Sequence, residues 1–137
     1  MPRRPRLEAE PFPPIESLIP HRAPACLLER VLERAGDGLV AQAVVPRDSP
    51  ATLALEMAAQ AAAALAALER RGQGEPRPGY LVGARNAAFH RPWIAAGEPL
   101  RVTVTPAGSA PPLAVYEFTV HAGETLLASG TISTYLL

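Results

Sequence analysis

The stretch "LALEMAAQAAAAL", residues 53 to 65, sets one carboxylate, Glu56, and one amide, Gln60, in an otherwise apolar run. Four residues apart, the two side chains share one face of any helix formed there. Burial disfavours a charged carboxylate and favours its neutral form, which would make Glu56 a proton donor. Gln60, one turn on, could hydrogen-bond that carboxyl or a substrate hydroxyl. The bland alternative is a structural glutamate paired with an arginine or tied to a backbone amide. A base to work beside Glu56 has to come from elsewhere, and the chain has three histidines. His21 lies in "IPHRAP", His90 in "FHRPW", and His121 ends an alternating run before "AGE". His90 reads as a loop or edge-strand residue and His121 as solvated. His21 is carried forward as the candidate base, against the bland alternative of a structural turn that ties the N-terminal segment to the body.

Other chemistries find little support. One cysteine, Cys26, and three widely separated histidines show no metal-ligand spacing, so no metal and no cofactor is expected. The Gly-x-Ser-x-Gly context of a serine nucleophile and a glycine-rich phosphate loop are both missing from the sequence. Thirteen Lys plus Arg balance thirteen Asp plus Glu, which argues against a nucleic-acid partner. A lone cysteine cannot form an internal disulfide, and a reducing, cytoplasmic setting is the economical expectation. The Ala-rich run is too polar, through Glu56 and Gln60, to read as a membrane span.

The elements that must position these residues can be outlined from the same chain of 137 residues, a length that suits one domain. The arginine- and proline-rich residues 1 to 14 read as a mobile arm, and 15 to 137 as the domain. A helix is predicted over 50 to 71, with Asp48 or Ser49 as N-cap, Pro50 in the first position and Gly72 beyond the end. Twenty-two residues would reach roughly 33 Å, and apolar groups on every face require protein all around it. Alternating or β-branched runs predict strands over 38–46, 79–89, 99–106, 113–121 and 125–137. The segment 26–34 has apolar spacing closer to an amphipathic helix. One long apolar helix among antiparallel strands implies an α+β fold, a curved sheet wrapped around that helix. An open sheet leaves an unpaired edge, so pairing with a second subunit is expected.

Three segments in order resemble the hotdog-fold 3-hydroxyacyl-carrier-protein dehydratases: "IESLIPHRAPACLLERVLE" (15 to 33), "LALEMAAQAAAAL" (53 to 65) and "YLVGARNAAFHRPWIAAGEPLRVTV" (80 to 104). They cover a little under half of the chain. "IPHRAPACLLE" and the Ala-Leu-Glu-Met start of the helix look most like the divergent thioester dehydratases of aryl polyene-type gene clusters. The resemblance implies a strand over 26–34, against its periodicity. It implies dehydration of an acyl-carrier-protein-bound (phosphopantetheine) 3-hydroxyacyl thioester, with Glu56 as acid. It also implies a homodimer, or a heterodimer with another hotdog subunit. One departure stands out. The family's Gly-His-Phe-Pro segment, which carries its base before the central helix, is replaced here by "VVPRDSP".

Dehydration needs a base for the α-proton, an acid for the departing hydroxyl and donors for the thioester oxygen. Glu56 and His21 are the expected catalytic pair, unless a partner protein supplies the base. The N–H groups of Ala51, Thr52 and Leu53, at the helix start, are the expected oxyanion donors. Arg85, Arg91 and Arg101 could attract the phosphopantetheine or an acidic carrier protein, although solvated arginines are the more ordinary reading. The alternatives are a non-catalytic hotdog subunit that needs an active partner, and a thioesterase on the same fold. An imidazole within about 6 Å of the Glu56 carboxyl across a dimer interface is the feature that would favour catalysis.

Overall fold

The structure, a computed structural model, describes residues 12–22, 25–70 and 79–136. A 3-10 turn at Ile15–Ser17 leads to β1 (Leu28–Ala35) and β2 (Gly38–Ala43). The two-residue β3 (Ser49–Pro50) precedes the helix α1 (Leu53–Arg70). After it come β4 (Gly79–Phe89), the two-residue β5 (Trp93–Ile94), β6 (Leu100–Ala110), β7 (Leu113–Ala122) and β8 (Thr125–Leu136). Six strands form one antiparallel sheet in the order β1-β2-β6-β7-β8-β4, while β3 and β5 pair separately. One helix against a large antiparallel sheet is the α+β architecture the sequence implies.

The segment with helix-like spacing is a strand, and its bulges explain the spacing. The β1–β2 register skips a residue between Leu28 and Arg30 and again between Val31 and Glu33. Each skipped residue shifts the alternation by one position. Leu28 and Val31 therefore both point into the core although three residues separate them. A similar bulge between Pro106 and Gly108 lets β6 run on to Ala110. The interval 107–112 left between the predicted strands 99–106 and 113–121 shrinks to Pro111–Pro112, because the preceding residues pair with β7 as far as Ala110 opposite Leu113.

The helix begins later than predicted. Ser49 and Pro50 pair with Ile94 and Trp93, and this tertiary pairing overrides the local cap signal. Ser49 Oγ donates to the Arg47 carbonyl, and Asp48 Oδ1 accepts from the Ala96 amide, so neither side chain caps α1. The predicted Gly72 cap and Arg71 lie outside the described residues, as does most of the predicted arm. At the end of that arm, Phe12 packs against the core.

Helix α1 lies on the sheet face formed by β2, β4, β6, β7 and β8. Leu39, Ala41, Val102, Val104, Val120 and Ile132 of that face are fully buried, as are Ala54, Met57, Ala58, Ala61, Ala64 and Leu65 of the helix. On β6, exposed Arg101 and Thr105 alternate with the buried Leu100, Val102 and Val104, so one face is core and the other solvated. At Gly130 a Cβ would come within 2.9 Å of Ala87 Cα, where β8 passes the bulged stretch of β4. Only glycine allows that approach without displacing backbone. The alanine surface of α1 is packed in the same way. Ala61→Leu is expected to lower stability by about 1–3 kcal/mol through overpacking, read as a lower urea midpoint at unchanged m-value.

Candidate active site

Two separate tethers bring the chemistry-bearing residues to the start of α1. The first comes from the segment after β4. Ala51 N–H donates to the Pro92 carbonyl at 2.8 Å, Gly97 N–H to the Val45 carbonyl at 3.0 Å, and Ala96 N–H to Asp48 Oδ1 at 2.9 Å. Within that segment Arg91 Nη2 meets Glu98 Oε1 at 2.6 Å. The hydrogen bond from Arg91 holds the Glu98 carboxyl below its ordinary range, against a weaker opposing effect of burial. The β3–β5 pair and these bonds hold the strand-to-helix connection in place.

The second tether comes from the residues before β1. Ile15, Leu18 and Ile19 are buried. Arg22 Nη1 donates to the carbonyls of Ile19 at 3.0 Å and His21 at 2.8 Å, which closes a tight turn. The Arg22 carbonyl accepts from the amides of Ala25 at 2.8 Å and Cys26 at 3.0 Å. Cys26 is half-buried, donates to the Leu28 carbonyl, and has its thiol pushed up by burial, a setting that disfavours a reactive thiolate.

Where the two tethers meet, a cavity of about 340 Å³ opens, walled by Ala25, Leu27, Pro46, Ser49 and Leu53, with His21 and Glu56 as its ionisable groups. His21 Nε2 stands 3.8 Å from Glu56 Oε2. That is beyond a hydrogen bond but within ion-pair reach. Both groups belong to one chain. His21 Nδ1 is buried without a hydrogen-bond partner among the described residues, so the backbone of its turn, rather than a bond to the ring, sets the imidazole's place.

Several expectations change at this point. The Glu56 side chain is 43 % exposed, not buried, because it sits in the first turn of α1 at the cavity mouth and not under the sheet. Gln60 is fully buried but does not reach Glu56 or line the cavity. Its Oε1 accepts from Leu27 N–H at 2.9 Å and its Nε2 donates to the Ala25 carbonyl at 2.8 Å. Ala51 N–H is engaged with Pro92, which removes it as an oxyanion donor. The amides of Thr52 and Leu53 make no backbone hydrogen bond among the described residues, and Leu53 lines the cavity. Arg91 is held by Glu98, and Arg85 lies exposed on β4 opposite Thr131, so neither joins this cavity. Arg101, His121 and His90 also lie outside it, Arg101 and His121 opposite each other on β6 and β7. The sequence offered no sign of the walls Pro46 and Ser49, since the pairing of β3 with β5 creates that side of the cavity.

Among the described residues, no group of three His, Cys, Asp or Glu is placed to hold a metal ion. Within the same limits, no helix is long and apolar enough to cross a membrane.

One central helix packed against this six-stranded antiparallel sheet defines a hotdog-fold protein. The family model of the ApeP-like dehydratases matches residues 13–136, and the chain belongs to that family. Among solved structures it is similar to the dehydratase heterocomplex ApeI:P from Xenorhabdus doucetiae, at 24 % identity over 92 % of each chain and a TM-score of 0.83. It also resembles Cj0977, a sigma28-regulated virulence protein from Campylobacter jejuni, at 11 % identity, covering 90 % of this chain and 95 % of that one with a TM-score of 0.63. A putative thioesterase from Lactococcus lactis, yhdA, shares 15 % identity over 73 % of this chain and 78 % of its own, with a TM-score of 0.56. No curated protein matches the sequence.

The Arg91–Glu98 bond carries a prediction about the tether after β4. A carboxyl whose range is lowered on folding stabilises the protein above its unfolded value and loses that contribution as acid protonates it in the folded state. Glu98→Gln is expected to lower stability by about 0.5–1 kcal/mol at neutral pH. Denaturation midpoints of the variant and the wild type should converge in strong acid.

Proposed function

We propose that the protein dehydrates 3-hydroxyacyl thioesters presented on the phosphopantetheine arm of an acyl carrier protein, with His21 as base and Glu56 as acid. The observation that carries this reading is the imidazole and the carboxyl facing each other at 3.8 Å in a largely apolar-walled cavity. Membership of a dehydratase family supports it. The cytoplasm, where acyl carrier proteins and a reduced Cys26 are at home, is the proposed setting.

The step requires a neutral imidazole at His21 and a proton on the Glu56 carboxyl. His21 Nε2 takes the α-proton, and the electron pair left behind forms the Cα–Cβ double bond as the Cβ–O bond breaks. Glu56 delivers its proton to the leaving hydroxyl, which departs as water. The thioester oxygen carries negative charge in the transition state, and the free N–H groups of Thr52 and Leu53, at the positive end of the α1 dipole, are the donors available for it. The step ends with imidazolium beside carboxylate. Across their 3.8 Å separation the proton can return from His21 to Glu56 through one water and restore the reactive state.

A second reading keeps the same substrate but makes this chain one half of a two-subunit enzyme. Its support is the exposure of Glu56 in the single chain together with an uncovered sheet edge. Strand β4 is an edge strand of eleven residues with one charged side chain, Arg85, and with Tyr80 and Val82 exposed. The similar ApeI:P structure is a heterocomplex. The proposed partner is another hotdog subunit, identical or different, whose edge strand continues the sheet beyond β4.

Mass spectrometry of a 3-hydroxyacyl-carrier-protein thioester incubated with the protein should show loss of one water. Glu56→Gln and His21→Ala should each slow that loss by about 10²–10⁴-fold. Release of free acid would point to a thioesterase, and unchanged thioester to dependence on a partner. Val82→Lys should raise the fraction of single chains seen by analytical ultracentrifugation, since a charge on β4 opposes edge pairing.

A further inference from the structure

The one fully buried amide side chain of α1 is not used by the chemistry above, yet it touches both ends of the segment that supports His21. Gln60 has no exposed surface and is surrounded by Ala58, Ala59, Ala61, Ala63 and Ala64 along its own helix. An amide buried without partners costs about 1–3 kcal/mol, and methionine would fill the same volume without that cost. Its presence is explained by two bonds that span 33 and 35 residues of sequence, from Leu27 N–H and to the Ala25 carbonyl.

The two bonds satisfy a carbonyl and an amide of one short backbone stretch with a single side chain. The primary amide offers an acceptor and a donor side by side, which a trans peptide unit does not, to a stretch of backbone just before β1. The carbonyl of Arg22 is bonded by the amides of Ala25 and Cys26, and Arg22 in turn bonds the His21 carbonyl. Among the described residues the imidazole Nδ1 has no such anchor. Gln60 is also one helical turn from Glu56, so the residue that grips the His21 segment and the carboxyl that faces His21 share one rigid element.

We infer that Gln60 is a positioning residue: by clamping the Ala25–Leu27 backbone to α1 it sets the separation of His21 from Glu56. This rests on the dehydratase reading above and assigns to Gln60 the geometry of that pair, not contact with the substrate.

The test uses Gln60→Met, which keeps the volume and loses both bonds, and Gln60→Glu. Steady-state dehydration, amide exchange at Leu27, and nuclear Overhauser contacts between the His21 ring and the Glu56 side chain are measured for each. Gln60→Met should release the Leu27 amide to faster exchange, weaken the His21–Glu56 contacts, and lower kcat by about 10²-fold with KM within twofold, the loss expected of a misplacement near 1 Å. Gln60→Glu should recover activity relative to wild type as the pH is lowered. Its ionised carboxylate repels the Ala25 carbonyl, while the protonated carboxyl both accepts from Leu27 and donates to Ala25. A purely packing role would show no such pH-dependent rescue.

If Leu27 exchange rises in Gln60→Met while kcat and the His21–Glu56 contacts are kept, the positioning role is overturned and the dehydratase reading stands. A wild type that turns nothing over on its own overturns the reading of this chain as a self-sufficient dehydratase instead. The ring contacts then decide the inference: their loss in Gln60→Met upholds the clamp, and their persistence overturns it.

Discussion

The close seating of an alanine helix on a β-sheet governs the rest of this molecule. Alanine places only a methyl group between the α1 backbone and the inner faces of β2, β6, β7 and β8, so little room remains and no polar atom can lie there unbonded. Burial of apolar area, at about 25 cal/mol per Å², supplies the main favourable term. The two polar side chains in the first half of the helix meet the constraint in opposite ways. Gln60 goes fully under and bonds to backbone. Glu56, a turn earlier, keeps contact with solvent at a cavity mouth and faces a histidine.

That division could not be read from the stretch "LALEMAAQAAAAL" alone. Composition and spacing were enough to mark the helix, its buried character and the oddity of both polar residues, because those follow from local periodicity. Which of the two would be buried depends on what crosses each turn of the helix, and both partners of Gln60 lie more than thirty residues away. Similar limits apply to β1 and β3. The spacing of Leu28 and Val31 read as helical because a bulged strand and a helix can both place residues three apart on one face. The cap signal at Ser49 and Pro50 was locally sound, yet pairing with Trp93 and Ile94 recruited those residues first. The meander β6-β7-β8, whose register is mostly regular, was legible nearly in full.

The two edges of the large sheet are built differently. On β1, Glu29, Arg30, Glu33 and Arg34 are exposed, and two bulges break the regular repeat of backbone groups. Glu29 and Arg30 are further tied to Gln42 on β2, at 2.6 and 3.3 Å. Charges and bulges of this kind discourage a second strand from adding to an edge. The β4 edge has bulges as well, but only Arg85 is charged and two large apolar side chains stand open to solvent. The chain thus closes one edge by its chemistry and leaves the other able to pair.

In the proposed mechanism the base has changed its place on the fold while the acid has stayed put. In the dehydratases this chain resembles, the base comes from the connection that enters the central helix, where local chain geometry holds it beside the helix start. Here that connection carries Pro46 and Ser49, which form cavity wall, and the imidazole enters from the N-terminal segment. A base brought in from so far along the sequence has no local element to fix its distance from the acid. Some long-range tie has to do that, and it must reach the helix near the acid without adding a charge to the core. A buried amide one turn from Glu56 meets each of those demands, whereas a carboxylate or a lysine at the same depth would need a counter-ion that the alanine surface cannot provide.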